Sequence, residues 1–246
     1  MLNIWNTLLY KPLLNLLAVI VSVVPGGDVG VAVIILTLLV KTILIPLSRR
    51  SIESQAKMKL LEPEIAKVKA SGASKEEQAK QTFELYKKYK TNPFSGCLLV
   101  LIQIPIIFAL YYVFLRFNQG TGFDTAFLYS FVKNPVHINN MFIGLLDISK
   151  PSLLLAILAG ASQFLQAHYM PKPPVSEKKD GPKSFQDSFA SSMQMQMKYI
   201  FPFLIIIIAY KISGAIALYW ITSNMFTVFQ QIHVNRKKIS LAVEVK

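Results

Sequence analysis

Five long apolar runs limit what this chain can fold into. They cover 29–47, 97–117, 152–165, 199–210 and 214–229 of a 246-residue sequence that is 53% hydrophobic. A helix rises about 1.5 Å per residue and the bilayer's hydrocarbon core is about 30 Å thick, so runs near 20 residues read as bilayer spans. A soluble domain of this length would place its apolar residues in periodic stripes instead. The expected class is an all-α integral membrane protein with five transmembrane helices, a cytoplasmic helical hairpin and an N-terminal interfacial helix. No room remains for a large soluble domain.

Charge placement orients the spans. The formal net charge is +13. Basic residues crowd 49–90, 171–198 and the tail from 235, whereas 118–150 carries only Lys133 and Lys150 as bases. The positive-inside bias puts the three basic segments in the cytoplasm and 118–150 outside. An odd number of spans with the N-terminus outside satisfies this. The lone Cys97 excludes an internal disulfide. Neither a cleavable signal peptide nor an acylated-cysteine motif is expected from the first residues.

The chain divides accordingly. Residues 1–28 form an outer-face amphipathic helix: Pro12 interrupts the apolar run 2–24, and Asn3, Thr7, Lys11, Asn15, Ala18 and Ser22 form one narrow polar stripe. A short, tilted sixth span is the alternative. Span 1 covers 29–48. Residues 49–92 form the hairpin, two amphipathic arms around "ASGAS", with Pro63 kinking or restarting the first arm. Span 2 covers 93–117, the outer loop 118–150, span 3 151–169, a cytoplasmic loop 170–191, span 4 192–212, span 5 213–234, and a basic cytoplasmic tail 235–246.

Lys41 is the anomaly. It lies inside the first run, about 9 Å of helix rise from its cytoplasmic end. A lysine near a span's centre costs roughly 2.5–3.5 kcal/mol, while each surrounding Leu, Ile or Val contributes about 0.3–0.6 in return. The span still inserts. Either the ammonium snorkels or it faces a wet cavity, and intramembrane ionisable groups usually do the latter. The apolar runs hold no Asp or Glu, so no internal carboxylate can neutralise it. Its available partners are water, carbonyls and Gln103, Ser162, Gln163, Thr222, Ser223, Asn224 and Gln230. A cation without a fixed counter-ion is a site for a mobile anion, such as a carboxylate of a transiting chain or a lipid phosphate.

Enzyme signals are weak. His137, His168 and His233 lack metal-ligand spacing, "GASQF" is no nucleophile elbow, and no Gly-rich phosphate loop occurs. No enzyme activity, metal or cofactor is expected. A small-solute transporter or anion channel using Lys41 as ligand site is the competing class, disfavoured by the absence of an internal repeat.

Several stretches in fixed order resemble the YidC/Oxa1/Alb3 family of membrane protein insertases. They are "GVAVIILTLLVKTILIPLSRRSIESQAKMKLLEPEIAKVK", "LYKKYKTNPFSGCLLVLIQIPIIFALYYVF", and "MQMQMKYIFPFL" followed by "SGAIALYWITSNMFTVFQQ". "LLYKPLLNLL" is similar to that family's outer interfacial helix. Two departures stand out: Lys41 occupies the place where most bacterial members carry Arg, and Leu99 occupies that of a proline. The large periplasmic domain and the lipoprotein signal of other members are expected to be absent. The resemblance implies a protein of the bacterial cytoplasmic (inner) membrane that inserts nascent membrane proteins without ATP. It implies a hydrophilic groove formed by Lys41, Gln103, Trp220, Ser223 and Asn224. It also implies contacts from Arg49, Arg50, Lys57, Lys59, Arg236, Lys237 and Lys238 to the incoming chain or the ribosome. A Sec translocon joins the bilayer among the implied partners, and no small-molecule substrate does.

Overall fold

The apolar runs fold into helices packed around the last one. A computed structural model describes residues 5–92, 95–116, 123–170, 192 and 195–244. Most of the 170–191 loop lies outside the described residues. So do the side chains of Lys59, Cys97, Arg236, Lys237 and Lys238.

Helix α1 runs Asn6–Val23, α2 Val29–Ile43, α3 Ile45–Leu60, α4 Glu62–Ala70, α5 Lys75–Lys88, α6 Ser95–Arg116, α7 Leu153–Tyr169, α8 Phe201–Lys211 and α9 Gly214–Glu244. Helix α9 packs against α2, α3, α6, α7 and α8, and α1 lies against α2 and α6. Helices α4 and α5 pair as a hairpin, with Leu61 breaking the first arm just before Pro63. Ser74 caps α5 by accepting the Glu77 N–H, and the Tyr89 hydroxyl donates to Glu64 across the arms. That bond holds the Tyr89 proton above the usual phenol range.

Three features differ from the sequence expectation, each for a physical reason. Pro12 does not interrupt α1. A π-turn over Asn6–Tyr10, closed by the Lys11 N–H on the Asn6 carbonyl, shifts the hydrogen-bond register just before the proline ring. The same device precedes Pro202, where the Phe201 N–H bonds the Gln196 carbonyl. The polar stripe of α1 faces protein at its centre. Asn15 and Ala18 are buried, and the Asn15 amide donates to the Phe127 carbonyl at 2.9 Å while its oxygen accepts the Tyr129 N–H at 2.7 Å. Finally, the first core helix breaks at Leu44, where α2 and α3 meet at 66°. Pro46 has no N–H for the ladder, and the Leu47 and Ser48 N–H groups both turn to the Leu44 carbonyl.

Among the described residues, α1 is the one helix long and apolar enough to cross a bilayer, and the bent pair α2–α3 passes the same test together. Gln103–Leu115 and Leu153–Tyr169 are shorter apolar helices. What they expose is apolar: Ile35, Leu38, Leu39 and Ile43 on α2, Ile104, Phe108 and Tyr112 on α6, Phe203, Leu204 and Ile207 on α8. What they bury includes Thr37, Ser162, Gln163, Ser223, Asn224 and Thr227. Large apolar side chains outside and polar ones inside is the distribution of a protein that meets lipid.

The 123–150 loop is tied to the start of α2. Asp28 caps that helix by accepting the Val31 N–H and takes the Ile143 N–H with its other oxygen, at 3.0 and 2.7 Å. Strands β1 (Met141–Phe142) and β2 (Leu146–Asp147) form a small antiparallel hairpin beside it. The Lys150 and Ile148 carbonyls accept the first two N–H groups of α9. One end of the bundle is thus clamped by the loop and the other leads into the helical hairpin.

Candidate functional site

Lys41 sits two residues before the end of α2, on the flank that meets α6 and α9. Its Nζ donates to Gln103 Oε1 at 3.3 Å and to Thr227 Oγ1 at 3.2 Å. The carbonyl oxygen of Gln103 therefore faces the cation. Its amide nitrogen points the other way and donates to the Tyr219 hydroxyl and to Ser223 Oγ, the latter at 3.2 Å. Thr227 gives its own hydroxyl proton to the Ser223 carbonyl at 2.9 Å, which leaves a lone pair for the ammonium.

The α9 positions fall in helical register. Tyr219, Ser223, Thr227 and Gln230 are spaced by four, four and three, so they form one polar stripe about 16 Å long. Gln230 extends it toward the hairpin end by exchanging hydrogen bonds with Ser48, at 3.1 and 3.2 Å. The bend at Leu44 is what turns Ser48 toward α9. Asn224 lies on the neighbouring face and donates to Ser162 Oγ at 3.0 Å and Gln163 Oε1 at 3.1 Å, joining α9 to α7. The Gln231 side chain is buried beyond it, with an oxygen that has no partner.

The electrostatics follow from this inventory. The ion pairs among the described residues join Arg49 to Glu53 at 2.9 Å and Lys150 to Asp147 at 3.2 Å, both away from the seam. Lys41 meets only neutral groups, which use two of its three protons. Hydrogen bonds to a charged group contribute roughly 1.5–3 kcal/mol. Removing an ion from water costs several kcal/mol. Two neutral acceptors therefore soften the burial of the half-buried ammonium without neutralising it. A mobile carboxylate at 4 Å would gain on the order of 4 kcal/mol at an effective dielectric near 20.

The structure brings Lys41, Gln103 and Ser223 into one network and puts Asn224 beside it. Trp220 is off the stripe, half-buried against the apolar core. The sequence reading missed Thr227, Tyr219 and Ser48. The i, i+4, i+8 spacing from Tyr219 through Ser223 to Thr227 was the signal that could have found two of them. Of the basic contact residues, Arg49 is ion-paired, and Arg50 and Lys57 are exposed on α3. The backbone of Arg236, Lys237 and Lys238 continues α9 without a break. No group of three metal-ligating side chains occurs among the described residues.

Comparison with known proteins covers this whole network. The sequence profile of the family described as 60Kd inner membrane protein matches residues 20–241. A protein named membrane protein insertase YidC from Fusobacterium nucleatum is 33% identical over 213 residues, spanning 86% of this chain and 88% of the relative. One of the same name from Oceanobacillus iheyensis is 31% identical over 240 residues, 95% of this chain and 84% of the relative. Another, from Histophilus somni, is 31% identical over 228 residues, which are 92% of this chain but 36% of that longer protein.

Proposed function

The chain belongs to the 60Kd inner membrane protein family, that of the YidC/Oxa1 membrane protein insertases, and on that premise we propose that its polar seam carries the hydrophilic segments of nascent membrane proteins. The seam acts as a groove open to water, with Lys41 as its positive charge. Acidic residues of the substrate's translocating tail are drawn to Lys41. Gln103, Ser223, Asn224 and Thr227 exchange hydrogen bonds with the tail's polar groups, shortening the hydrocarbon path it must cross. Trp220 borders the groove.

Burial of the substrate's apolar segment in lipid supplies the driving force, at about 25 cal/mol per Å² of apolar surface. The transmembrane potential adds about 2.3 kcal/mol per charge per 100 mV for a negative tail moving outward. No nucleotide hydrolysis is required. In this reading the core has five spans, with the N-terminus outside and the C-terminus in the cytoplasm. The charge asymmetry between 118–150 and the three basic segments supports that orientation.

The observation that carries the proposal is the half-buried ammonium of Lys41 held by neutral partners only. A photocrosslinker at Gln103 or Asn224 is expected to trap the polar tail of a stalled nascent chain. The same group at Val19, exposed on α1, is expected not to. Equal yields at all three positions would remove the groove from the mechanism. A reconstituted protein that conducts small anions but inserts no protein would establish the channel alternative instead.

Arg49, Arg50, Lys57 and Lys59 of the hairpin and Arg236, Lys237 and Lys238 of the tail are the proposed contacts to the incoming chain and the ribosome. Deleting 236–246 removes four basic residues and one acid. Ribosome association is expected to weaken most at low salt, because the screening length falls from about 10 Å at 0.1 M to about 3 Å at 1 M. Cosedimentation across a salt series measures this. A loss independent of salt would exclude an electrostatic contact.

A further inference from the structure

A cavity at the loop end of the bundle takes no part in the seam. Its volume is about 220 Å³, and its walls include Tyr111 and Leu115 of α6, Ser149 and Pro151 ahead of α7, and Lys211 and Ser213 of the α8–α9 turn. Lys211 is exposed, and no carboxylate pairs with it among the described residues. The α8 dipole favours a cation at this helix end, but it does not account for the cavity beside it.

The second observation is Ser213. Its hydroxyl is shielded from solvent and has no hydrogen-bond partner. A buried hydroxyl left unpaired is unfavourable, and rotation about χ1 can turn it toward a ligand acceptor. The neighbouring acid does not oppose an anion here. The Asp147 carboxylate is already paired with Lys150 at 3.2 Å and accepts the Ser149 hydroxyl proton. Those hydrogen bonds, Ser149 first, hold the Asp147 carboxyl below the usual range, so its charge is committed locally.

Three of the residues that line the cavity carry hydrogen-bond donors: the ammonium of Lys211, the hydroxyl of Ser213 and the phenol of Tyr111. Three donors with a net positive charge fit the oxygens of a phosphate group. The rest of the wall tells what carries that phosphate. Leu115 is exposed, and Tyr112, Phe108 and Ile104 continue from it along α6 as an exposed apolar stripe. The stripe runs about 16 Å away from the cavity, the depth of one leaflet. Free phosphate has no use for such a track, whereas an acyl chain does.

We propose that this cavity binds the phosphate of a phospholipid in the leaflet at the loop end. Lys211, Ser213 and Tyr111 donate to the phosphate oxygens, and the Ile104–Phe108–Tyr112–Leu115 stripe carries an acyl chain. The site lies outside the insertion seam. Its test reads lipid retention, so its failure and a failure of the insertase reading are separable.

The experiment is native mass spectrometry of the purified full chain in neutral detergent, titrated with dimyristoyl phosphatidylglycerol and, separately, with inorganic phosphate. Lys211→Ala is expected to lower retention of the first bound lipid about tenfold, the loss of one charge-assisted contact. Lys211→Arg should keep it, Ser213→Ala should lower it partially, and Lys133→Ala, at an exposed lysine of the same loop outside the cavity lining, should leave it unchanged. Ser213→Ala removes one atom and guards against a folding defect in the lysine variant. Retention unchanged in Lys211→Ala, or lowered as much by Lys133→Ala, overturns the site. Inorganic phosphate that binds alone and displaces the lipid overturns the lipid source.

Discussion

Insertion of substrates with acidic translocated tails is expected to fall about tenfold or more in Lys41→Ala, and to recover most of that loss in Lys41→Arg. The size follows from the seam's chemistry. A carboxylate near the ammonium gains up to about 4 kcal/mol, and water in the groove screens part of it. Every 1.4 kcal/mol retained is a factor of ten. Alanine deletes this attraction entirely. Arginine keeps the charge and adds a planar fork of donors that can still reach Gln103 Oε1 and Thr227 Oγ1. The fold should tolerate the alanine, because both acceptors lose one donor but lie in a seam where water can replace it. Melting temperature and insertion therefore separate. Substrates with neutral tails should insert nearly as before. Alanine that inserts acidic tails at the wild-type rate would remove electrostatics from the mechanism.

Lys41, Gln103, Ser223 and Asn224 were legible in the sequence for one reason: each interrupts an apolar run, and a polar group in lipid must find a partner. Thr227 and Tyr219 were not, because a helical threonine can satisfy itself on the turn before it and a tyrosine suits a membrane interface. Tyr219 acquires its role only when α6 brings Gln103 alongside, and Thr227 only when α2 brings Lys41. The helical hairpin was legible from periodicity and from Pro63. The bend at Leu44 was not, since Pro46 reads equally well as the end of a span, and only the turn of α3 toward α9 makes Ser48 a partner of Gln230. The stripe on α1 shows the limit of periodicity. Spacing says that Asn15 and Ala18 share a face, but not whether that face meets water or the 127–129 backbone. Burial on the loop side is set by residues more than a hundred positions away.

Gly27→Ala is expected to lower the thermal stability of the detergent-solubilised protein far more than Gly26→Ala. Both glycines have left-handed backbones, with φ of +65° and +70°. An L-residue there costs roughly 1–2 kcal/mol. At Gly26 that is the whole effect, since a Cβ would meet nothing within 4 Å. At Gly27 a Cβ would land on the backbone carbonyl of His137. That carbonyl cannot step aside cheaply. The Val29 N–H donates to the Asn139 carbonyl and the Asn139 N–H to the Gly27 carbonyl, each at 2.9 Å, while Asp28 holds the Ile143 N–H. Relief of the overlap must break part of this clamp, at about 1 kcal/mol for each bond lost. The expected total is roughly 3–5 kcal/mol, in the range that marks a specific structural failure and not a generic surface change. Unfolding followed by intrinsic fluorescence compares the two variants, and limited proteolysis reports the loop. Cleavage within 123–150 should accelerate in Gly27→Ala and not in Gly26→Ala. Equal melting shifts in the two variants would mean that the loop is not anchored through this contact. The capping of α9 by the Lys150 and Ile148 carbonyls would then be what holds it to the bundle.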